Sequence, residues 1–335
     1  MKSSRLRAGV LVGLLCAAGA VSAGEQGHYS PAIPNVRDLL VPPDPGIYYL
    51  QYNYLYSTET LKNRNGDEVG SLTVDGPLGT TTVTVEPDIE AFVVAPSLVW
   101  VSPWHVFGAR YAALVLPSFV SASPQVSLSL ARTGRFLDRT RSIDRTLEAD
   151  VGGMADTYFQ PVWLGWSGEH YEASAAYGFF APTGTDGVSL EFWEHQLQAT
   201  GAWYPWADKR MAVTVTGTYA LPMQKDSEDL TPGDRFTLNW GISQYLPLEK
   251  DMSILAELGV RGYSQWQVQE DSGSDVPRIR NVQLNAKDEI HSAGLQAGLT
   301  FPQFDAYLNF GYMWEFGAEA RFEGQWFGVT LAKGF

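Results

Sequence analysis

FWEHQLQATGAWY, residues 192–204, has two unlike sides. Trp193, His195, Leu197, Ala199 and Trp203 fall on one parity, and Glu194, Gln196, Gln198 and Thr200 fall on the other. A period of two is strand alternation, because successive side chains leave a sheet on opposite faces. RMAVTVTGTYAL, residues 210–221, repeats the contrast, with Met211, Val213, Val215, Tyr219 and Leu221 against Thr214, Thr216 and Thr218. In RFEGQWFGVTLAKGF, residues 321–335, Phe327, Val329, Leu331 and Phe335 share one side, and Gly328, Thr330, Ala332 and Gly334 share the other. Such a sheet needs an apolar medium on one face and a wet or tightly filled space on the other.

Composition agrees with two differently solvated faces: aromatics make up 13% of the 335 residues and charged residues only 18%. Beyond the N-terminus no run resembles an apolar 20-mer, so the body does not cross a bilayer as helices. The other spanning structure that satisfies every backbone group is a closed β-barrel. A soluble β-sandwich also alternates, but it leaves the terminal aromatic and the loop asymmetry described next without a reason.

The pattern predicts an all-β, transmembrane outer-membrane barrel of about 12 antiparallel strands. Strands are expected at 47–57, 89–101, 106–130, 155–166, 171–181, 192–204, 210–221, 236–246, 253–268, 292–301, 304–316 and 320–335. Pro117 and Pro124 interrupt the third, where a bulge would keep the number even. Tight turns at 102–105, 167–168, 205–208, 247–251 and 302–303 alternate with longer, wetter connections at 59–88, 133–153, 182–190, 223–233 and 269–289. Short turns on the periplasmic side and long loops outside are the outer-membrane arrangement. Trp100, Trp104, Trp163, Trp166, Trp203, Trp206, Trp314 and Trp326 gather near strand ends, where amphipathic rings meet lipid headgroups.

Residues 1–23 read as a secretory signal, with Lys2, Arg5 and Arg7 before an apolar run and a small-residue exit at Val21, Ser22 and Ala23. Cys16, the only cysteine, lies in this segment. Its removal takes 23 basic residues to 20, and against 37 acidic residues the net charge becomes −17. That surface is a poor partner for nucleic acid. The barrel is assigned to 46–335, preceded by a Pro-rich leader at 24–45. The leader carries Pro31, Pro34, Pro42, Pro43 and Pro45 together with Tyr29, Ile33, Val36, Leu39, Leu40 and Val41. It is too proline-rich for a ladder strand and too apolar for a free linker. It is expected to serve either as a plug folded into the lumen, or as a strap beneath the barrel or a segment that binds a periplasmic partner.

Candidate lumen and substrate-path residues are Tyr49, Gln51, Asn53, Asp156, Tyr158, Gln160, Glu172, Glu194, Gln198, Tyr245, Glu257, Arg261, Asp305, Tyr307 and Asn309. Tyrosine faces would suit a ring, and the amides would meet a hydroxyl or carboxyl. No catalytic or metal-ligating residues are assigned and no cofactor is expected. Of the five histidines, His28 lies before the barrel, His105 and His170 sit at or beside tight turns, and neither His195 nor His291 has a nearby serine or aspartate at motif spacing; GxSxG and HExxH are absent.

The leader EQGHYSPAIPNVRDLLVPPDPGIYYLQYNYLY (25–56), then YGFFAPTGTDG (177–187), and above all YALPMQKDSEDLTPGDRFTLNWGISQYLP (219–247) give the chain a family likeness. It resembles the outer-membrane barrels named for a meta-pathway of phenol degradation, related to channels encoded beside aromatic catabolism genes. That resemblance implies a 12-stranded barrel that helps hydrophobic or aromatic molecules across the outer membrane of a Gram-negative cell, with no enzyme chemistry. It implies outer-membrane lipid, lipopolysaccharide and small hydrophobic or aromatic solutes as partners, and Phe335 as the signal read by the barrel-assembly machinery. Two other classes remain open: a structural or interaction barrel without transport, and a lipid-modifying enzyme. A continuous lumen favours transport, a packed one a scaffold, and a Ser, His and acid within hydrogen-bond reach catalysis.

Overall fold

The computed structural model describes residues 27–76, 79–134, 140–148, 150–276 and 287–335; the signal-peptide reading of 1–23 lies outside them. Twelve antiparallel walls form the barrel. The first is β1 (Gly46–Leu61), and a short β2 (Ser71–Gly76) extends its hairpin with the second wall, β3 (Gly79–Val106). The third wall is β4 (Ala109–Leu116) with β5 (Phe119–Gly134). The fourth is β6 (Thr140–Glu148), β7 (Val151–Met154) and β8 (Thr157–Ser167). Eight single strands follow: β9 (Tyr171–Ala181), β10 (Glu194–Trp203), β11 (Met211–Pro222), β12 (Arg235–Pro247), β13 (Leu255–Gln267), β14 (Glu289–Phe301), β15 (Ala306–Glu319) and β16 (Phe322–Gly334). β16 pairs with β1 from Tyr48↔Gly334 to Leu61↔Phe322, which closes the sheet and removes its edges.

The expected number of strands stands, and several boundaries move. The 102–105 stretch is a register shift inside β3 rather than a turn. The turn lies at Phe107 and Gly108, both with positive φ (51° and 75°), the geometry a two-residue hairpin needs to match the twist of its strands. Pro117 divides the third wall as expected, but Pro124 does not. It pairs with Ile89 and sits where the neighbouring wall changes from β6 to β7, a place where a missing N–H breaks no ladder. The 59–88 and 133–153 connections are largely strand, because β1, β2, β3, β5 and β6 continue past the rest of the barrel as paired hairpins.

Burial is inverted relative to a soluble protein. Gln196, Gln198, Thr200, Thr214, Thr216, Thr218, Gln296 and Thr330 are buried, while Leu197, Val215, Trp240, Leu258, Leu295, Phe310, Phe327 and Leu331 are exposed. Two of the tryptophans expected at the rim turn inward instead: Trp163 is 3% exposed, and Trp326 donates its indole N–H to Glu315 Oε1 at 2.9 Å.

Residues 27–45 run through the barrel from the end with long connections to the end with short turns. His28 meets Asp156 and Glu194 at the first end, and Arg37 reaches the Lys209 and Arg210 carbonyls at the second. The segment makes bends and turns rather than a strand or helix.

Candidate functional site

Prolines deny the leader a ladder, so its carbonyls need donors from the wall. Side chains around the wall provide them: Asn239 and Arg261 from β12 and β13, Tyr48 and Tyr54 from β1, Arg110 from β4, and Ser174 from β9, which donates to Leu39 O at 2.8 Å. Asn239 donates to Pro31 O at 2.7 Å and accepts from the Tyr29 hydroxyl at 3.1 Å. Arg261 donates to Pro34 O at 2.6 Å, Gln296 Oε1 accepts from Val36 N at 3.1 Å, and Thr330 accepts from Asn35 at 3.1 Å. Tyr54 donates to Ile33 O, and Tyr307 donates to Asp38 Oδ1 at 2.7 Å. Arg37 donates to Ser243 at 2.9 Å and lies over the Tyr245 ring at 4.2 Å.

Two wall glycines let the leader come close. A Cβ on Gly241 would stand 2.6 Å from Val36 Cγ2, and one on Gly165 would stand 2.6 Å from Val41 Cβ. The leader's apolar residues fill small clusters: Val41 with Val99, Val101, Ala112 and Trp163; Leu40 with Ala202, Tyr204 and Ala212.

At the long-connection end His28 is clamped. Its Nε2 lies 2.8 Å from Asp156 Oδ2, its backbone N–H donates to Glu194 Oε2 at 3.2 Å, and its ring stacks on Phe180 at 4.7 Å. Burial pulls the imidazole pKa down, but hydrogen bonds and charge from Asp156 and Glu194 raise it above its ordinary value. Asp156 is held further by Ser189 Oγ at 2.7 Å and by the backbone N–H groups of Gly184 and Leu190, both at 2.9 Å.

The leader leaves space on the opposite side. A cavity of about 120 Å³ lies among Leu114, Leu116, Tyr158, Trp163 and Phe180 of the wall and Ile33 and Leu39 of the leader. A vestibule of about 520 Å³ opens below it, lined by Tyr48, Leu50, Glu172, Tyr204, Tyr245 and Lys333 among others. Asp38, Tyr52, Leu114 and Trp163 line both spaces, so the two are adjacent.

Among the candidate residues, Asp156, Tyr158, Gln160, Glu194 and Gln198 lie around the leader's first turn and the upper cavity. Glu172, Tyr245, Glu257, Tyr307 and Asn309 line the vestibule, and Arg261 lies buried against Pro34 between the two groups. Glu172 accepts from Lys209 at 2.8 Å and from the Tyr204 hydroxyl at 3.0 Å, while Glu257 accepts from Asn309 at 3.1 Å. Asp305 sits in an exposed turn with φ 47° at the vestibule mouth.

Tyr49, Gln51 and Asn53 do not join this set. They share the outer parity of β1 with exposed Ile47 and Leu55, and chain to one another through Tyr49→Gln51 at 2.8 Å and Gln51→Asn53 at 3.0 Å. The inward positions are Tyr52, Tyr54 and Tyr56; Tyr52 and Tyr54 cluster with Ile33 of the leader, and Tyr56 packs on Trp326 and donates to Glu315.

Strand pairing also assembles a group that spacing did not reveal. His291 Nδ1 lies 2.8 Å from Ser264 Oγ and its Nε2 lies 2.9 Å from Glu289 Oε1, on the outer face beside Trp266 and Phe316. Ser264 and His291 are cross-strand partners 27 residues apart, so only the register brings them together. Among the described residues no group of His, Cys, Asp and Glu could hold a metal.

A closed ring of antiparallel strands with an apolar outer face and a filled polar interior defines an outer-membrane β-barrel. Residues 63–331 match the family described as putative MetA-pathway of phenol degradation, and the chain belongs to that family. The fold is similar to that of an outer membrane channel from Pseudomonas putida F1, at 14% identity and a TM-score of 0.61, covering 90% of this chain and 100% of that one. The beta domain of the Bordetella autotransporter BrkA matches at 9% identity, TM-score 0.45, over 87% of this chain and 100% of that one. A Pseudomonas aeruginosa FadL homologue matches at 13% identity, TM-score 0.38, over 87% and 91%. No curated protein matches the chain.

Proposed function

We propose that this barrel is a channel for small, uncharged hydrophobic or aromatic compounds, carried along the side of the lumen that the leader leaves free. The observation behind this reading is the division of the lumen. The leader hydrogen-bonds with Asn239, Arg261 and Gln296 on β12 to β14, and the upper cavity lies on the other side against Leu114, Leu116, Tyr158, Trp163 and Phe180. A passive path needs weak, graded contacts so that entry and release are both easy, and an apolar wall with few engaged charges offers them. The family's name and the channel from Pseudomonas putida F1 are consistent with it.

The test is flux across vesicles whose outer leaflet is lipopolysaccharide, which resists apolar solutes. Toluene and phenol should cross faster with the protein than without, and glucose should not. Equal acceleration of glucose would make the barrel a general pore. No acceleration of any solute would favour a scaffold, a reading that the leader-filled lumen also fits.

One observation favours the lipid-modifying alternative: the Ser264, His291 and Glu289 chain on the outer face. It stands second because strands pair on both sides of Ser264 and engage the backbone N–H groups that an oxyanion would require. Covalent labelling of Ser264 by a fluorophosphonate would reverse that order.

A further inference from the structure

Beyond the rest of the wall, β2, β3, β5 and β6 run on as one sheet whose two parities differ in chemistry. The register sets Val83 opposite Leu130 and Val85 opposite Leu128. On the same parity β2 adds Leu72 and Val74, and β6 adds Ile143 and Leu147. The other parity carries Thr84, Glu86, Asp88, Ser127 and Thr146; Glu86, Asp88 and Thr146 are exposed, and the Ser127 and Thr146 hydroxyls lie 3.5 Å apart. Lower in β3 the parity of Val83 is the buried, lumen one at Ile89, Ala95 and Val99, and the other meets lipid at Phe92, Leu98 and Trp100. The side that meets lipid below therefore turns polar where it enters water, while the lumen side stays apolar.

Charge divides the same way. In these extended strands Arg132, Arg141 and Arg145 fall on the apolar parity, whereas Asp75, Glu86, Asp88, Asp144 and Glu148 all fall on the polar one. Arg132 and Arg141 are direct cross-strand partners, and like charges placed opposite each other destabilise a sheet until an anion offsets them. An apolar sheet face needs a cover, and this one needs a cover that is apolar along its length and negative at one end. A second copy set face to face would bring the arginines against their own equivalents. Residues 277–286 carry Arg278 and Arg280 and no acid, so they fit no better. Membrane lipid lies against the other parity, at Phe92, Leu98 and Trp100.

We propose that this face docks a long-chain anionic amphiphile from the medium, an alkyl carboxylate or phosphate, with its head at Arg132 and Arg141 and its chain along Leu130, Leu128 and Val126 toward the barrel. From the Arg132 and Arg141 pair to the Val126 and Leu147 pair the rows cover about 20 Å at the rise of an antiparallel strand, which suits an extended chain. Arginine suits the head, because its planar fork meets carboxylate or phosphate oxygens through paired N–H groups. The apolar rows contribute area, which does not tell an acid from an alcohol of the same length. The arginines do. Capture of such an anion is separate from passage of uncharged solutes, and the face serves it whether or not the barrel conducts them.

Two photoprobes separate these contributions: hexadecyl phosphate with a mid-chain diazirine, and the alcohol of the same chain. Each is applied to the full-length protein in phosphatidylcholine vesicles, and adducts are located by peptide mapping. In the wild type both should mark 72–85 and 126–147, and unlabelled hexadecyl phosphate should compete. The ratio of phosphate to alcohol adducts there should fall about tenfold in a variant carrying Arg132→Gln and Arg141→Gln, the lower end for hydrogen bonds to a charged group. Glu86→Gln, on the polar parity, should leave that ratio close to its wild-type value. Leu128→Ser with Leu130→Ser should lower the yield of both probes, and heat-modifiability checks that each variant keeps its barrel. A ratio that survives loss of both arginines, or wild-type strands that take no adduct, would overturn the docking face. Labelling displaced by lipopolysaccharide but not by unlabelled hexadecyl phosphate would overturn it in favour of membrane lipid, and cross-links between copies at these strands in favour of a second copy.

Discussion

A buried imidazole between two carboxylates couples the leader's position to pH. His28 is held by Asp156 and Glu194, and its pKa lies above the ordinary 6.5 despite its burial. A group whose folded pKa is raised adds stability that is complete below the unfolded pKa and is lost as pH climbs through the folded one. The imidazole's contribution to the clamp should therefore weaken toward alkaline pH. In planar bilayers the wild-type conductance is expected to rise as pH passes through the raised value. His28→Gln, which cannot charge, should give a flat profile. A wild-type conductance that falls with rising pH would contradict this account of the clamp.

At the scale of the element, alternation was legible wherever a strand's two faces meet unlike surroundings. In β10 and β11 the glutamine and threonine parity lies buried and the leucine and valine parity exposed, as the spelling suggests. β1 misleads because polarity there does not track direction. Its outer face carries Gln51 and Asn53, and its inner face carries Tyr52 and Tyr54, which cluster with Ile33 of the leader, and Tyr56, which packs on Trp326. The Ser264 and His291 contact was illegible for another reason: register, not spacing, creates it. The extended hairpins of β2, β5 and β6 were hidden by polar composition, which signals solvent but does not separate loop from strand.

Gly241 admits Val36 at a distance that no larger residue allows. Gly241→Leu should push the leader off its wall and raise conductance, at a stability cost of about 1–3 kcal/mol typical of overpacking. Deleting 27–41 should raise conductance to a similar level, with heat-modifiable barrels still reaching the outer membrane. Unchanged conductance in both correctly inserted variants would remove the leader from the permeation path.

For the whole molecule, the closed sheet and the inward leader make one lumen with two unlike sides: a polar side that holds the chain and an apolar side that stays partly open. Pairing of β16 with β1 shuts the ring, so solutes and leader share a single space. The outer surface also has an apolar groove at Leu258, Leu295, Phe310 and Phe327, which offers a solute a competing resting place in the lipid. Photolabelling decides between them most directly. A ring-sized, uncharged aryl diazirine, applied to the protein in lipopolysaccharide vesicles and followed by peptide mapping, should mark Leu114, Leu116, Tyr158 or Phe180 of the wall, or Ile33 or Leu39 of the leader, and unlabelled toluene should compete. Adducts confined to Leu258, Leu295, Phe310 and Phe327, with none inside the barrel, would contradict an apolar path beside the leader.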